Sequence, residues 1–302
     1  MRSFFLTDGS IVGNFYLFEE IGKNSRKAIL GAGAERKLPE MTRLQTEKDF
    51  RKVKKLPFCY LCGQQFTGKD IINSDHVPPK TAFNARDRTA PLKLPTHESC
   101  NGAQSVDDKK VGQLIALRRG ERPSSRRDQA LELVHYERLG MVALENLDVD
   151  SAVWRWVRGF HAALYHQPLV DWKHAIQTPF PRADSRGGQF ALRPLRPQHL
   201  AFVETIKRNR QFGDLDQILA NAGKLRYECV WCQLDDNASW FCVFGLDIYD
   251  WKDLGGHTSN IPARGCAGAY VLADKTVPPG AATNRDGIVT ALNRDTLDPF
   301  AP

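Results

Sequence analysis

Three short stretches decide how this chain is read: FCYLC at 58–62, SDHVPPK at 74–80 and LPTHESCNG at 94–102. Cys59-x2-Cys62 and His97-x2-Cys100 each set two soft ligands on a tight turn, and two such knuckles close a tetrahedron around zinc with bonds of roughly 2.0–2.3 Å. All four positions are then protein atoms. Such a site is structural, because it leaves no open position for water and stabilises a fragment too small to form its own core.

Between the knuckles, Asp75 directly precedes His76 after the strand-like IINS, and Val77-Pro78-Pro79 cannot continue a ladder, so the strand is expected to end at this pair. Asn101 follows the last zinc ligand at once, so closing the zinc site draws Asn101 towards the Asp75-His76 turn. Phosphodiester hydrolysis needs a hard divalent cation to neutralise charge in the transition state and a base to deprotonate the attacking water. Oxygen donors from Asp75 and Asn101 suit Mg²⁺ or Mn²⁺. The imidazole of His76, with an ordinary pKa of about 6.5, suits the base near neutral pH.

CYLC, SDHVPP and HESCN, in this order and spacing, resemble the HNH nuclease family, whose treble-clef-like ββα-metal fold is a β-hairpin, a crossing helix and one catalytic divalent ion. Zinc-stapled members are similar in placing CxxC before the Asp-His and a second knuckle immediately before the final Asn or His. The resemblance covers residues 55–120. It implies a metal-dependent endonuclease hydrolysing DNA, with His76 as general base, Asp75 and Asn101 on catalytic Mg²⁺ or Mn²⁺, and Cys59, Cys62, His97 and Cys100 on structural zinc. Restriction, phage defence and mobile-element biology are the settings it implies. Nicking is the single-copy outcome, so double-strand cutting implies a homodimer or partner protein.

Two departures stand out. The family usually has Cys at the position of His97, and its middle Asn, which orients the base, falls where this chain has Ala90-Pro91-Leu92; Asn84 is the nearest substitute. Two alternatives therefore stay open: a zinc-stabilised nucleic-acid-binding module that does not cut, and an RNA-directed nuclease.

After the second knuckle, Ser105-Val106-Asp107-Asp108 matches a capping box, with Val111, Leu114, Ile115 and Leu117 as the apolar stripe of a helix. Asp107 and Asp108 serve the cap or add metal ligands. Lys109, Lys110, Arg118, Arg119, Arg122, Arg126 and Arg127 form either a phosphate-lining or a simply solvated basic face. A net charge of +7 and a pI near 9.0 point the same way, to polyanionic partners. No apolar run approaches the roughly 18 residues that span a bilayer, and the N-terminus lacks a signal-peptide pattern, so a cytoplasmic protein without membrane contact is expected. An odd count of seven cysteines with two CxxC pairs favours metal or plain thiols over disulfides.

The fold class read from the 302 residues is α+β: an N-terminal hairpin and lead-in (1–45), the nuclease-like core (46–120), an α+β accessory region (128–272) and a loosely packed tail (273–302). SFFL and IVGNFYLF read as the first hairpin, a helix starts near Thr46, and 120–127 is a linker. Helices are expected over LELVHYERL from residue 131, over 151–166 and 198–210, and over LDQILANAG, capped by Gly223. Residues 167–197 read as an irregular connection, and 224–249 as an antiparallel hairpin. Cys229 and Cys232, with Cys242 and Cys266, read as buried thiols rather than a second zinc site. His161 and His166, five apart, are poorly phased for one helix face and read as packing, as do the tryptophans Trp154, Trp156, Trp231 and Trp240.

Overall fold

A computed structural model describes residues 3–6, 42–102, 105–118, 132–136, 141–145, 148–169, 172–177, 182–184, 191–192, 197–233, 240–249, 266–272 and 276–284. Its architecture mixes helices with two larger sheets and a two-stranded hairpin. In chain order the elements are β1 (Ser3–Leu6), β2 (Arg43–Leu44), α1 (Glu47–Val53), β3 (Ile72–His76), β4 (Lys93–His97), α2 (Glu98–Gly102), α3 (Ser105–Arg118), β5 (Glu132–Tyr136), β6 (Met141–Glu145) and α4 (Val149–Tyr165). There follow β7 (Trp172–Gln177), β8 (Arg182–Asp184), β9 (Ala191–Leu192), α5 (Pro197–Phe212), β10 (Asp216–Ala220), β11 (Leu225–Gln233), β12 (Trp240–Ile248) and β13 (Cys266–Leu272). Two 3₁₀ turns, Lys80–Ala82 and Ala85–Asp87, lie between β3 and β4.

Helix α1 starts where a cap is available. The Thr46 side chain accepts the Asp49 N–H at 3.2 Å and the Asp49 carboxylate accepts the Thr46 N–H at 3.0 Å, so two orphan donors satisfy each other's residues. Phe50 and Val53 then bury one face of the helix. The long strands β11 and β12, rich in β-branched and aromatic residues, pair in antiparallel register from Leu225 opposite Ile248 to Gln233 opposite Trp240, as the expected hairpin.

The six-stranded sheet runs β2-β10-β11-β12-β13-β7 and is covered on both faces. On one, Phe202 and Ile206 of α5 pack with Val230, Cys232, Phe241, Val243, Ala267 and Ala269. On the other, α4 carries Val153, Trp156, Val157 and Phe160 into a continuous core that includes Tyr227, Trp231 and Phe244 of the sheet and Phe58, Tyr60 and Val77 beside the first knuckle. Contact there is close enough to forbid a side chain. A Cβ at Gly159 would lie 2.7 Å from Val77 Cγ1, and one at Gly112 of α3 would lie 2.5 Å from Thr81 Cβ. Helices α3 and α4 thus seat directly on the segment that follows β3.

Several expectations change. Residues 132–136 form β5, not a helix: LELVHYERL carries both periodicities, and pairing with β6 (Glu132 opposite Glu145, Tyr136 opposite Met141) decides for the strand. Residues 216–220 form β10 rather than a helix, held by antiparallel pairing with β11 and parallel pairing with β2. Asn221, Ala222 and Gly223 all have positive φ, so Gly223 belongs to a tight turn and not to a helix cap. The stretch 167–197 contains β7, β8 and β9, which pair with β13, β1 and β8 respectively. β1 pairs with β6 and β8; the hairpin partner expected at 11–18 and the linker 120–127 lie outside the described residues. Residues 276–284 are packed rather than loose, with Ala281 and Ala282 buried and the Trp231 N–H bonded to the Ala282 carbonyl at 2.9 Å.

Two buried polar side chains of this core meet partners from distant parts of the chain. Asp216, wholly buried, accepts the Thr42 N–H at 2.9 Å, the Ala282 N–H at 2.8 Å and the Tyr165 hydroxyl at 2.8 Å. The His161 ring is buried and its Nδ1 lies 2.9 Å from the Tyr270 hydroxyl. His166 is instead the left-handed C-cap of α4.

Two predictions test this packing. Gly159→Val drives methyl groups into Val77 and should cost roughly 1–3 kcal/mol of stability, read as a lowered urea midpoint. Burial lowers the His161 pKa to about 3. The unfolded chain takes up a proton below pH 6.5 that the folded ring refuses until about 3, so stability is complete above 6.5 and declines as pH falls through that window. His161→Gln should make stability less steeply dependent on pH there; an unaltered slope in urea titrations at stepped pH contradicts the assignment.

Candidate functional site

The first knuckle is a turn defined by its backbone. The Cys59 N–H bonds the Gln64 carbonyl at 2.9 Å, the Gly63 N–H bonds the Cys59 carbonyl at 2.8 Å, and Gly63 supplies the positive φ of 80° that the reversal requires. The second knuckle forms where β4 ends at His97 and α2 begins at Glu98. Ile72 stands opposite His97 in the β3–β4 ladder, so hairpin register fixes where the second pair meets the first.

The ligand atoms of Cys59, Cys62, His97 and Cys100 all lie within 4.8 Å of one another. Cys62 Sγ and Cys100 Sγ are 3.4 Å and 4.0 Å from His97 Nδ1. The edge of a zinc tetrahedron with these bond lengths is about 3.6 Å, which these two distances bracket. Three thiols and one imidazole therefore fit a metal ion, with zinc the natural occupant.

Electrostatics support a cation here. Burial works against ionising Cys59, but N–H groups of His97, Cys62 and Leu61 directed at its sulfur outweigh that and lower its pKa. Cys100 is pushed the other way, up to about 11, by burial and by the sulfurs of Cys59 and Cys62. Three thiolates this close repel one another, and a divalent ion removes that conflict by deprotonating all of them. Asp70 Oδ2 stands 3.6 Å from His97 Nε2, the side of the ring away from the sulfurs, and orients the imidazole with Nδ1 inward. Asp70 is itself held by the Thr67 N–H at 2.6 Å and hydroxyl at 2.9 Å.

Asp75 and His76 close β3. The ladder runs one residue further than the prolines imply, because the Val77 N–H still donates to the Leu92 carbonyl at 3.1 Å before Pro78 ends it. In the ladder Asp75 stands opposite Leu94 and His76 opposite Lys93. Asp75 is buried, accepts the hydroxyl of Tyr60, and feels the Arg155 guanidinium. Burial dominates and raises its pKa despite both partners. His76 is half-buried and its pKa is lowered to about 4, first by burial and then by Lys93, Lys80, Arg88 and Lys54. Asn101 is half-exposed on α2, one residue past Cys100. The four soft ligands are brought together, and the His76 backbone N–H is directed at the Asp75 carboxylate.

At the place of the middle Asn, Leu92 is buried and contributes its carbonyl to Val77. The Asn84 N–H donates to the Tyr249 hydroxyl at 2.8 Å, which ties that loop to the end of β12. Asp108 pairs with the buried Arg155 of α4, so it serves helix packing; Lys109 is exposed and Lys110 half-exposed on α3. The side chain of Ser105, the other half of the expected capping box with Asp108, and Arg119, Arg122, Arg126 and Arg127 lie outside the described residues, as does the side chain of Arg118. Cys229 and Cys232 are buried on opposite faces of β11, Cys229 in the α4 core and Cys232 in the α5 core, where burial pushes Cys232 up to about 12. A spacing of three in a strand separates two sulfurs that a turn would join. Among the described residues the Cys59 cluster is the only such group of potential ligands.

Tyr60, Asp70, Arg155 and Arg158 escaped sequence reading. Asp70 had a local signal, the Thr-x-x-Asp turn of residues 67–70. Tyr60 lies inside the CxxC itself, but nothing in one dimension reveals that it reaches Asp75. Arg158 donates to the Leu61 carbonyl from nearly a hundred residues away.

No family model, curated protein or solved structure matches the chain. No helix among the described residues is long and apolar enough to cross a membrane.

The purified protein should carry one zinc per chain. Cys59→Ser should lose it and lower the melting temperature, while Asp70→Asn should keep the fold but weaken zinc retention about tenfold in chelator competition, the low end for an outer partner. Native zinc content in Cys59→Ser would contradict the assignment.

Proposed function

We propose that this chain is a metal-dependent endonuclease of the HNH type that hydrolyses DNA phosphodiester bonds, with Cys59, Cys62, His97 and Cys100 on a structural zinc. The observation that carries the reading is the convergence of the two knuckles, because the sequence pattern that predicts a zinc staple is the same pattern that predicts the Asp75, His76 and Asn101 site. The hairpin of β3 and β4 followed by α2 and α3 is consistent with a ββα-metal core.

The residues present fit a hard divalent ion. Asp75 is a carboxylate whose burial leaves its charge undercompensated by Tyr60 and Arg155, and Asn101 offers a neutral amide oxygen, the donor set that Mg²⁺ or Mn²⁺ takes. When bound, the ion neutralises charge on the transferring phosphoryl group. Tyr60, whose own pKa burial and Asp75 raise, stays protonated and fixes one carboxylate oxygen as acceptor. His76 is held neutral by burial and its cationic neighbours, so a ring nitrogen is free to take the proton of the attacking water as its oxygen bonds phosphorus and the leaving oxygen departs.

Supercoiled plasmid and RNA, incubated in parallel with zinc-loaded protein and Mg²⁺ or Mn²⁺, test the reading. Cleavage of DNA should fall by roughly 10²–10⁴-fold in His76→Ala, with zinc content and melting temperature unchanged. Undiminished cleavage in that variant removes His76 from the mechanism, and binding without cleavage in the wild type makes the chain a nucleic-acid-binding module.

A further inference from the structure

The positive charges of four side chains from four separate elements act on His76. Lys93 stands directly opposite His76 in the β3–β4 ladder, so the two side chains share a face. Lys80 opens the first 3₁₀ turn after β3, Arg88 caps the second, and Lys54 caps α1. Lys54, Lys80 and Arg88 are exposed and Lys93 is half-buried. Some basic side chains of the protein meet acidic ones, as Arg51 meets Glu47, Arg155 Asp108, Lys207 Glu204 and Arg210 Glu228. Among the described residues, none of the four around His76 makes an ion pair. Positive charges gathered near one ring repel one another, and a polyanion relieves that repulsion.

The loop that carries two of them is braced before any ligand arrives. Arg88 Nε donates to the Phe83 carbonyl at 3.0 Å, which fixes the start of the guanidinium fork. Tyr249, at the end of β12, donates to Asp87 at 2.8 Å and accepts the Asn84 N–H at 2.8 Å, so the accessory sheet holds the loop from outside the hairpin. Thr81 donates to the Asp108 carbonyl at 3.0 Å and anchors the same loop on α3. A preformed arrangement loses little entropy on binding.

We infer that Lys54, Lys80, Arg88 and Lys93 form a cradle for the phosphate backbone of nucleic acid, which lays a phosphodiester across the face of His76. The inference rests on the proposed function for the identity of the polyanion and deepens it by naming the residues that grip the strand. It is separate from the basic face of α3 predicted from sequence. Contacts of this kind position the strand without reading its bases, and each one formed releases condensed counterion.

The experiment measures binding of the zinc-loaded full chain to a labelled DNA duplex and to an RNA of equal length by fluorescence anisotropy, over a series of NaCl concentrations without added divalent ion. Lys54→Gln, Lys80→Gln and Arg88→Gln should each lower the slope of log K against log salt by about 1, with unchanged zinc content and melting temperature. Lys207→Gln, on α5 and paired with Glu204, should leave the slope unchanged. A loss confined to DNA or to RNA identifies which backbone the cradle takes. Unchanged slopes in all three variants on both probes overturn the cradle, as does an equal loss in Lys207→Gln. The two readings separate cleanly: slope losses with no cleavage by the wild type keep the cradle and remove hydrolysis, and His76-dependent cleavage with unchanged slopes removes the cradle alone.

Discussion

The closure of Cys59 and Cys62 on His97 and Cys100 is the constraint from which the site's geometry follows. Each knuckle alone is a short turn with too little apolar surface to hold its place. Brought within ligand distance of one another, they set the loop before β3 against the end of β4, and hairpin pairing between those strands carries the same relation to Asp75 and His76. Soft ligands do the mechanical work, while the hard oxygen donors nearby stay available for other chemistry.

Helix α4 joins this corner to the rest of the molecule. It presents Gly159 where the chain after β3 must come close, sends Arg158 to the Leu61 carbonyl between the two cysteines, and places Arg155 between Asp108 and the Asp75–Tyr60 pair. Its other side enters the aromatic core of the six-stranded sheet. Arg155 is buried and Arg158 half-buried, and each meets an acceptor or an acidic neighbour on the hairpin side. The accessory region is thus part of the frame of the site and not simply an appendage to it.

What the sequence made legible was local. The cysteine and histidine spacing survives as a cluster able to hold a metal because both pairs are turns, and a turn's geometry is written in adjacent residues. The β11–β12 hairpin and α4 were readable for the same reason, each having one dominant periodicity. The strands β5 and β10 were misread because their side-chain patterns suit either period, and strand pairing settled the matter: β5 with its neighbour β6, and β10 with its neighbour β11 and with β2 from the far N-terminal side. The contacts of Asp75 with Tyr60 and of Asp87 with Tyr249 depend on three-dimensional closure, so no motif announces them.

Asp216 receives backbone donors from residues 42 and 282, at the two far ends of the described core, on the two oxygens of one side chain. The intervening 240 residues are thereby closed into a ring without a covalent bond. In such a ring a single backbone scission within an exposed connection leaves both fragments gripped by the same interior, so the nicked protein should behave as one particle.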